Sequence, residues 1–309
     1  MPTCLAARWL PKPRLSLTGL GEIGAYGVKA SLNDVLDYVR SQIPNFLVSV
    51  VQGPARVGLF NKADSLSALP VRLISGSMYA PVFRALAQLQ DNREKSKALC
   101  LRSLTLALAY CLPVYVLLWW LAEPFVRVVY GGQWIPAAEP LRILALSGLF
   151  WIITNQSGAL IAAQNRLGRE LLINAEGILL LFAAVAWGLP YGLAGVAYGI
   201  LGVRIVYSLR MAHLANTLVG SRWRDIVKAL GPPLLLNGIL FGMLQLADWA
   251  WRRAGYADPW SYLATLAGIG GTVYLVSFMS MPVFRDEVAH WKRALRLSRL
   301  PGNPARTGV

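Results

Sequence analysis

The chain has 309 residues, 56% of them hydrophobic and 15% charged, with a mean hydropathy of +0.48, which lies outside the range of ordinary soluble domains. Thirty Lys and Arg against fifteen Asp and Glu give a net charge of +15; in so apolar a chain this excess reads as cytoplasmic loops facing anionic lipid headgroups, not as a nucleic-acid surface. Three cysteines without CxxC spacing, two histidines and no GxxxxGKS/T sequence give no disulfide framework, metal site, Ser-His-Asp triad or phosphate loop. The expectation is a membrane protein that is not an enzyme and takes no metal or cofactor.

Residues 1–16 are basic and interrupted by proline, without the apolar core of a secretory signal, and read as a cytoplasmic lead-in. Crossing the hydrocarbon core takes about 20 helical residues. Two stretches with helical periodicity but several polar residues come first, at 20–51 and 57–83. Six plainer ones follow, at 103–122, 141–163, 171–189, 193–215, 229–249 and 260–281. Gln52-Gly53-Pro54, Gly131-Gly132, Gly188 with Pro190 and Gly192, and Gly231-Pro232-Pro233 read as turns or helix ends between them. Pro44, Pro70 and Pro113 lie inside spans and predict kinks. Gly195 and Gly199 form a GxxxG pair that lets two helices approach closely. Seven tryptophans (Trp119, Trp120, Trp134, Trp151, Trp249, Trp251 and Trp260) fall near expected helix ends and read as an interfacial belt. The fold class is therefore all-α integral membrane protein with eight spanning helices. Residues 17–218 form a six-helix bundle, 219–283 add two helices, and 284–309 form a basic cytoplasmic tail.

Charge sets the orientation. With both termini cytoplasmic, one side collects twenty Lys and Arg: those of the lead-in and tail, Arg84 to Arg102, Arg166 with Arg169, and Arg210 to Lys228. The other side has five, Arg40, Arg56, Arg127, Arg252 and Arg253. The remaining cations, Lys29, Lys62, Arg72, Arg142 and Arg204, lie within spans, where each costs about 2.5–3.5 kcal/mol unless it meets a partner or a wet cavity. Arg142 and Arg204 are near enough to helix ends to snorkel. Lys29, Asn33, Asp37 and Arg40 share a polar stripe on the first stretch, and Asn61, Ser65, Arg72 and Tyr79 share one on the second, flanked by Lys62. Two readings stand open: a hydrated cationic cavity for an anionic ligand, or internal neutralisation of Lys29 by Asp37 and of Lys62 by Asp64 or a neighbouring helix. Glu176 could carry a coupling proton or bridge to Arg169 or Arg204.

Gly58-Leu59-Phe60-Asn61-Lys62-Ala63, Leu69-Pro70, Ala80-Pro81-Val82-Phe83, Leu121-Ala122-Glu123-Pro124, Tyr130-Gly131-Gly132-Gln133-Trp134 and Gly192-Leu193-Ala194-Gly195-Val196-Ala197 occur in order. Over about residues 9–218 this pattern resembles the polysaccharide flippases of the multidrug/oligosaccharidyl-lipid/polysaccharide exporter superfamily. The resemblance implies two six-helix bundles around a cationic cavity, moving an undecaprenyl-pyrophosphate-linked oligosaccharide between leaflets of the bacterial plasma membrane by alternating access. It covers the second bundle only, which implies a truncated or split chain whose partners are the lipid bilayer, the lipid-linked oligosaccharide and a missing amino-terminal half-bundle or polymerase machinery. It further implies substrate binding by Lys29, Asn33, Asn61, Lys62 and Arg72 and ion coupling by Asp37 or Glu176. Asp64 stands where the family more often has an aromatic residue. Two other classes compete: a drug or cation antiporter of the same superfamily, which should show a more apolar cavity with carboxylates, and a membrane glycosyltransferase or ligase acting on the same lipid carrier, which needs carboxylates and a large loop.

Overall fold

A computed structural model describes residues 20–254 and 258–289, so the lead-in and most of the basic tail lie outside the described residues. These residues form ten α-helices: α1 (Leu20–Gln52), α2 (Pro54–Pro70), α3 (Gly76–Gln88), α4 (Arg93–Tyr130), α5 (Ala138–Leu146), α6 (Gly148–Ala163), α7 (Leu167–Gly188), α8 (Gly192–Val219), α9 (Trp223–Ala254) and α10 (Pro259–Ser280). A π-helical turn, Val71–Ser75, joins α2 to α3 in one rod.

Helix stands at every one of the eight expected positions, but the count of eight apolar spans is not reached. The stretches 93–130, 167–219, 223–254 and 259–280 are long and apolar enough to cross a membrane, and Gly132–Leu146 with Gly148–Ala163, bent by 47°, make a fifth. The 167–219 stretch is itself a hairpin. Its turn at Leu189–Gly192 folds α8 back along α7, and close pairs run Gly188 to Gly195, Ala184 to Gly199 and Gly177 to Tyr207. A Cβ on Gly195 would overlap the carbonyl oxygen of Gly188, so the two backbones meet where no side chain fits. α1 and the α2–α3 rod fall short in apolar character because they carry many polar side chains, of which Asn33 is buried and Lys29, Asp37, Asn61 and Arg72 are exposed.

Proline placement explains much of the packing. A helical proline lacks the N–H that its i−4 carbonyl would accept, and at membrane depth that carbonyl needs another donor. Pro113 frees the carbonyl of Ala109, which accepts from the Tyr274 hydroxyl of α10. Pro233 frees that of Ala229, which accepts from Thr105 Oγ1 of α4 at 3.1 Å. Gly231-Pro232-Pro233 therefore does not end a span, as the sequence suggests; α9 runs through it because α4 supplies the missing donor. These two bonds fasten the last pair of helices to α4, over a core of Leu121, Leu236, Leu240, Leu244, Leu266 and Phe278.

Candidate functional site

Pro70 initiates the local irregularity on which the site is built. After it the chain adopts one π turn, with the N–H of Val71 bonded to the Ala68 carbonyl. The Ser67 carbonyl left over accepts from Tyr115 Oη at 2.9 Å, and the Pro70 carbonyl from Cys111 Sγ at 3.6 Å, both on α4. Gln156 of α6 donates to Ser75 Oγ at 3.4 Å. Held at these points, the turn places Arg72, itself exposed, at the edge of a cavity between the helices.

A second break, between α5 and α6, supplies the opposite wall. A Cβ on Gly148 would fall within the Tyr115 ring, so only glycine lets the two helices cross there. Beside it Ser147 Oγ donates to the Leu144 carbonyl and accepts from Arg204 Nη1 at 2.5 Å. The Arg204 guanidinium also lies 4.4 Å from the Trp151 ring and 3.5 Å from Asp64. Arg204 thus has three fixed partners and does not snorkel.

Between these walls lies a cavity of about 230 Å³, lined by Asp37, Arg40, Asp64, Arg72, Trp151, Arg204 and Tyr207 among others. Arg40 pairs with Asp37 at 2.6 Å and covers the Tyr207 ring at 4.2 Å. Arg204 pairs with Asp64. Arg72 makes no ion pair among the described residues, so the cavity holds three guanidinium groups against two carboxylates and has one uncommitted cation.

The seven residues expected to act together are dispersed. Arg72 and Asp37 line the cavity. Asn33 is buried away from it: it donates to the Leu167 carbonyl at 3.4 Å and accepts from Asn174 at 2.8 Å, while Tyr207 Oη donates to Asn174 at 2.5 Å. This chain of hydrogen bonds ties α1 to α7 and α8. Lys62 points the other way, with its ammonium 4.4 Å from the Tyr130 ring and 5.3 Å from the Trp134 ring. Asn61 is exposed and accepts from Ser65 at 3.3 Å, and Lys29 is exposed on α1. Glu176 bridges to Arg210 at 2.8 Å across α7 and α8, in place of Arg169 or Arg204. Neither internal neutralisation forms as expected, because Asp37 turns to Arg40 and Asp64 to Arg204. Arg40, Asp64, Trp151, Arg204 and Tyr207 line the cavity without having been expected as site residues from the sequence. Arg204 lies near the middle of α8, and that position was the available signal.

The described geometry defines a multi-helix membrane protein that encloses a basic polar cavity. Residues 2–139 match the family model described as Polysaccharide biosynthesis protein. The chain is 23% identical over 229 residues to the lipopolysaccharide biosynthesis protein WzxC of Escherichia coli strain K12, covering 74% of this chain and 46% of that protein. It is 22% identical over 283 residues to the succinoglycan biosynthesis transport protein ExoT of Rhizobium meliloti, covering 87% and 55%. An uncharacterized membrane protein in the cps region of Klebsiella pneumoniae is 24% identical over 259 residues, covering 82% and 52%. Among solved structures the lipid II flippase MurJ, in an inward closed conformation, shares the fold with a TM-score of 0.60 at 17% identity, over 90% of this chain and 57% of that one. The chain spans about half the length of the curated relatives it matches. The family-model match and these relatives fall on the region whose motifs resemble the polysaccharide flippases, and the chain is similar to such proteins over that region.

Proposed function

We propose that the chain forms the carboxyl-side bundle of a translocase that moves an undecaprenyl-pyrophosphate-linked oligosaccharide between leaflets of the bacterial plasma membrane by alternating access. The observation that carries this reading is Arg72, a cation with no carboxylate partner among the described residues, facing a polar cavity between helices. A pyrophosphate bears the compact negative charge and the oxygen acceptors that a guanidinium recognises in bidentate fashion. In this reading Arg40 and Arg204, already paired and stacked, keep the cavity positive, and Arg72 makes the new contact. Lys29, Asn61 and Lys62 lie outside the cavity and would meet ligand only through an opposing bundle. Asp37, expected to couple an ion, would do so by releasing Arg40. The names of the relatives support this function, and the charge asymmetry of the loops supports cytoplasmic termini.

The test is binding of undecaprenyl pyrophosphate to the purified chain in nanodiscs. Arg72→Gln is expected to weaken it about tenfold or more, the cost of one charge-assisted hydrogen bond, and Arg72→Lys to restore part of it. Binding that is the same in all three forms overturns the reading.

A further inference from the structure

A larger cavity lies elsewhere. About 630 Å³ opens between the last third of α4, the end of α9 and the start of α10, at the same end of the bundle as the α4–α5 and α7–α8 connections. That size falls in the range of about 300–1,000 Å³ typical of small-ligand pockets. Its lining combines two kinds of side chain. Trp119 and Trp120 of α4 pack on Phe241 of α9 with ring centres 5.8 and 5.1 Å away, and Trp251 meets Tyr262 of α10 edge to face at 5.8 Å. Between these rings stand Glu123, Asp248 and Asp258 with Arg127, Arg142 and Arg252.

Three facts separate this pocket from an ordinary interfacial belt. Belt tryptophans face outward, as Trp249 and Trp260 do at 57% and 65% exposure, whereas Trp119, Trp120 and Trp251 are half-buried and turned into the cavity. The Asp248 side chain is only 15% exposed and is held in place by Tyr262 Oη at 2.8 Å and Arg252 Nε at 3.0 Å. Asp258 is fixed as the N-cap of α10, accepting from the backbone N–H of Ser261 at 2.8 Å, which holds its carboxyl below the usual carboxylate range so that it stays ionised. The acceptors are therefore pre-positioned, and the three carboxylates balance the three guanidinium groups.

We propose that this pocket binds an uncharged sugar chain. A sugar ring offers an apolar C–H face and a rim of hydroxyls that both donate and accept. Indole and phenyl faces suit the first, and fixed carboxylates beside guanidinium groups suit the second. The charge balance gives a phosphate no net attraction here, in contrast to the cavity at Arg72. The inference rests on the chemistry of this pocket and does not require that the chain translocate anything.

Saturation-transfer NMR on the full chain in nanodiscs tests it, with maltotriose, raffinose and galactotriose as neutral probes and inorganic pyrophosphate as the anionic one. Saturation is expected to reach the C–H protons of at least one trisaccharide. Trp120→Ala should weaken that binding about 2- to 10-fold, the worth of one aromatic contact, and Arg72→Gln should leave it unchanged. Asp248→Asn, of the same shape, should weaken it as well and keeps the test decisive if Trp120→Ala does not fold. Absence of transfer from all three sugars, transfer that Asp248→Asn leaves intact, or displacement of the sugar by pyrophosphate each overturns the proposal. Loss of sugar binding alongside intact binding of undecaprenyl pyrophosphate leaves the translocation reading standing.

Discussion

The two polar cavities use the same charged side chains and differ in their balance. In the bundle three arginines face two carboxylates, and around the Arg72 side chain the chain supplies backbone irregularity instead of a counterion. At the mouth formed by α4, α9 and α10 three arginines face three carboxylates, and aromatic rings fill the space between them. A surplus guanidinium at membrane depth is stable only where water or an anion reaches it, so on the proposed reading the first cavity selects by charge. The second, already neutral, can select only by shape and hydrogen bonding.

The largest effect that would break this comparison is charge reversal in the bundle. Arg72→Glu should reduce binding of undecaprenyl pyrophosphate by more than the roughly tenfold loss of Arg72→Gln, measured by titration in nanodiscs. Retained affinity would make the two cavities electrostatically equivalent. Next comes Gly195→Val, which forces α7 and α8 apart and should cost about 1–3 kcal/mol or more. Thermal unfolding in detergent checks it against Gly202→Ala, where the added Cβ meets open space. Tyr274→Phe should cost about 1–3 kcal/mol by orphaning the Ala109 carbonyl beside Pro113, and hydrogen exchange should show α10 loosening from α4 before the bundle opens. The smallest effect belongs to Arg252→Gln. Its side chain is 78% exposed and solvent screens its pair with Asp248, so the unfolding temperature should hardly move, and a clear fall in it would mean that the mouth is held together by charge.

The positions of the helices were legible from apolar periodicity and turn residues, and the tight α7–α8 contact from GxxxG. The proline clusters were harder to read. Gly231-Pro232-Pro233 carries every mark of a helix end, yet Thr105, on a helix far away in sequence, supplies the donor that lets α9 continue. The polar stripes were visible on α1 and α2, but a stripe gives a face and not a partner. Asn33 went to Asn174, and Lys62 went to Tyr130 and Trp134, because those side chains arrive from helices about 140 and 70 positions away. Trp151, placed by sequence in an outer belt, lies under Arg204 inside the bundle.

Composition and periodicity alone determined that this chain is a basic, helical membrane protein with cations at membrane depth, since the cost of burying charge and backbone in hydrocarbon acts on each segment locally. Only the tertiary structure decided which cation of the bundle cavity has no counterion among the described residues. Pairing depends on distances between helices, and those are set by where a glycine lets two backbones touch and where a proline leaves a carbonyl for a neighbour to claim.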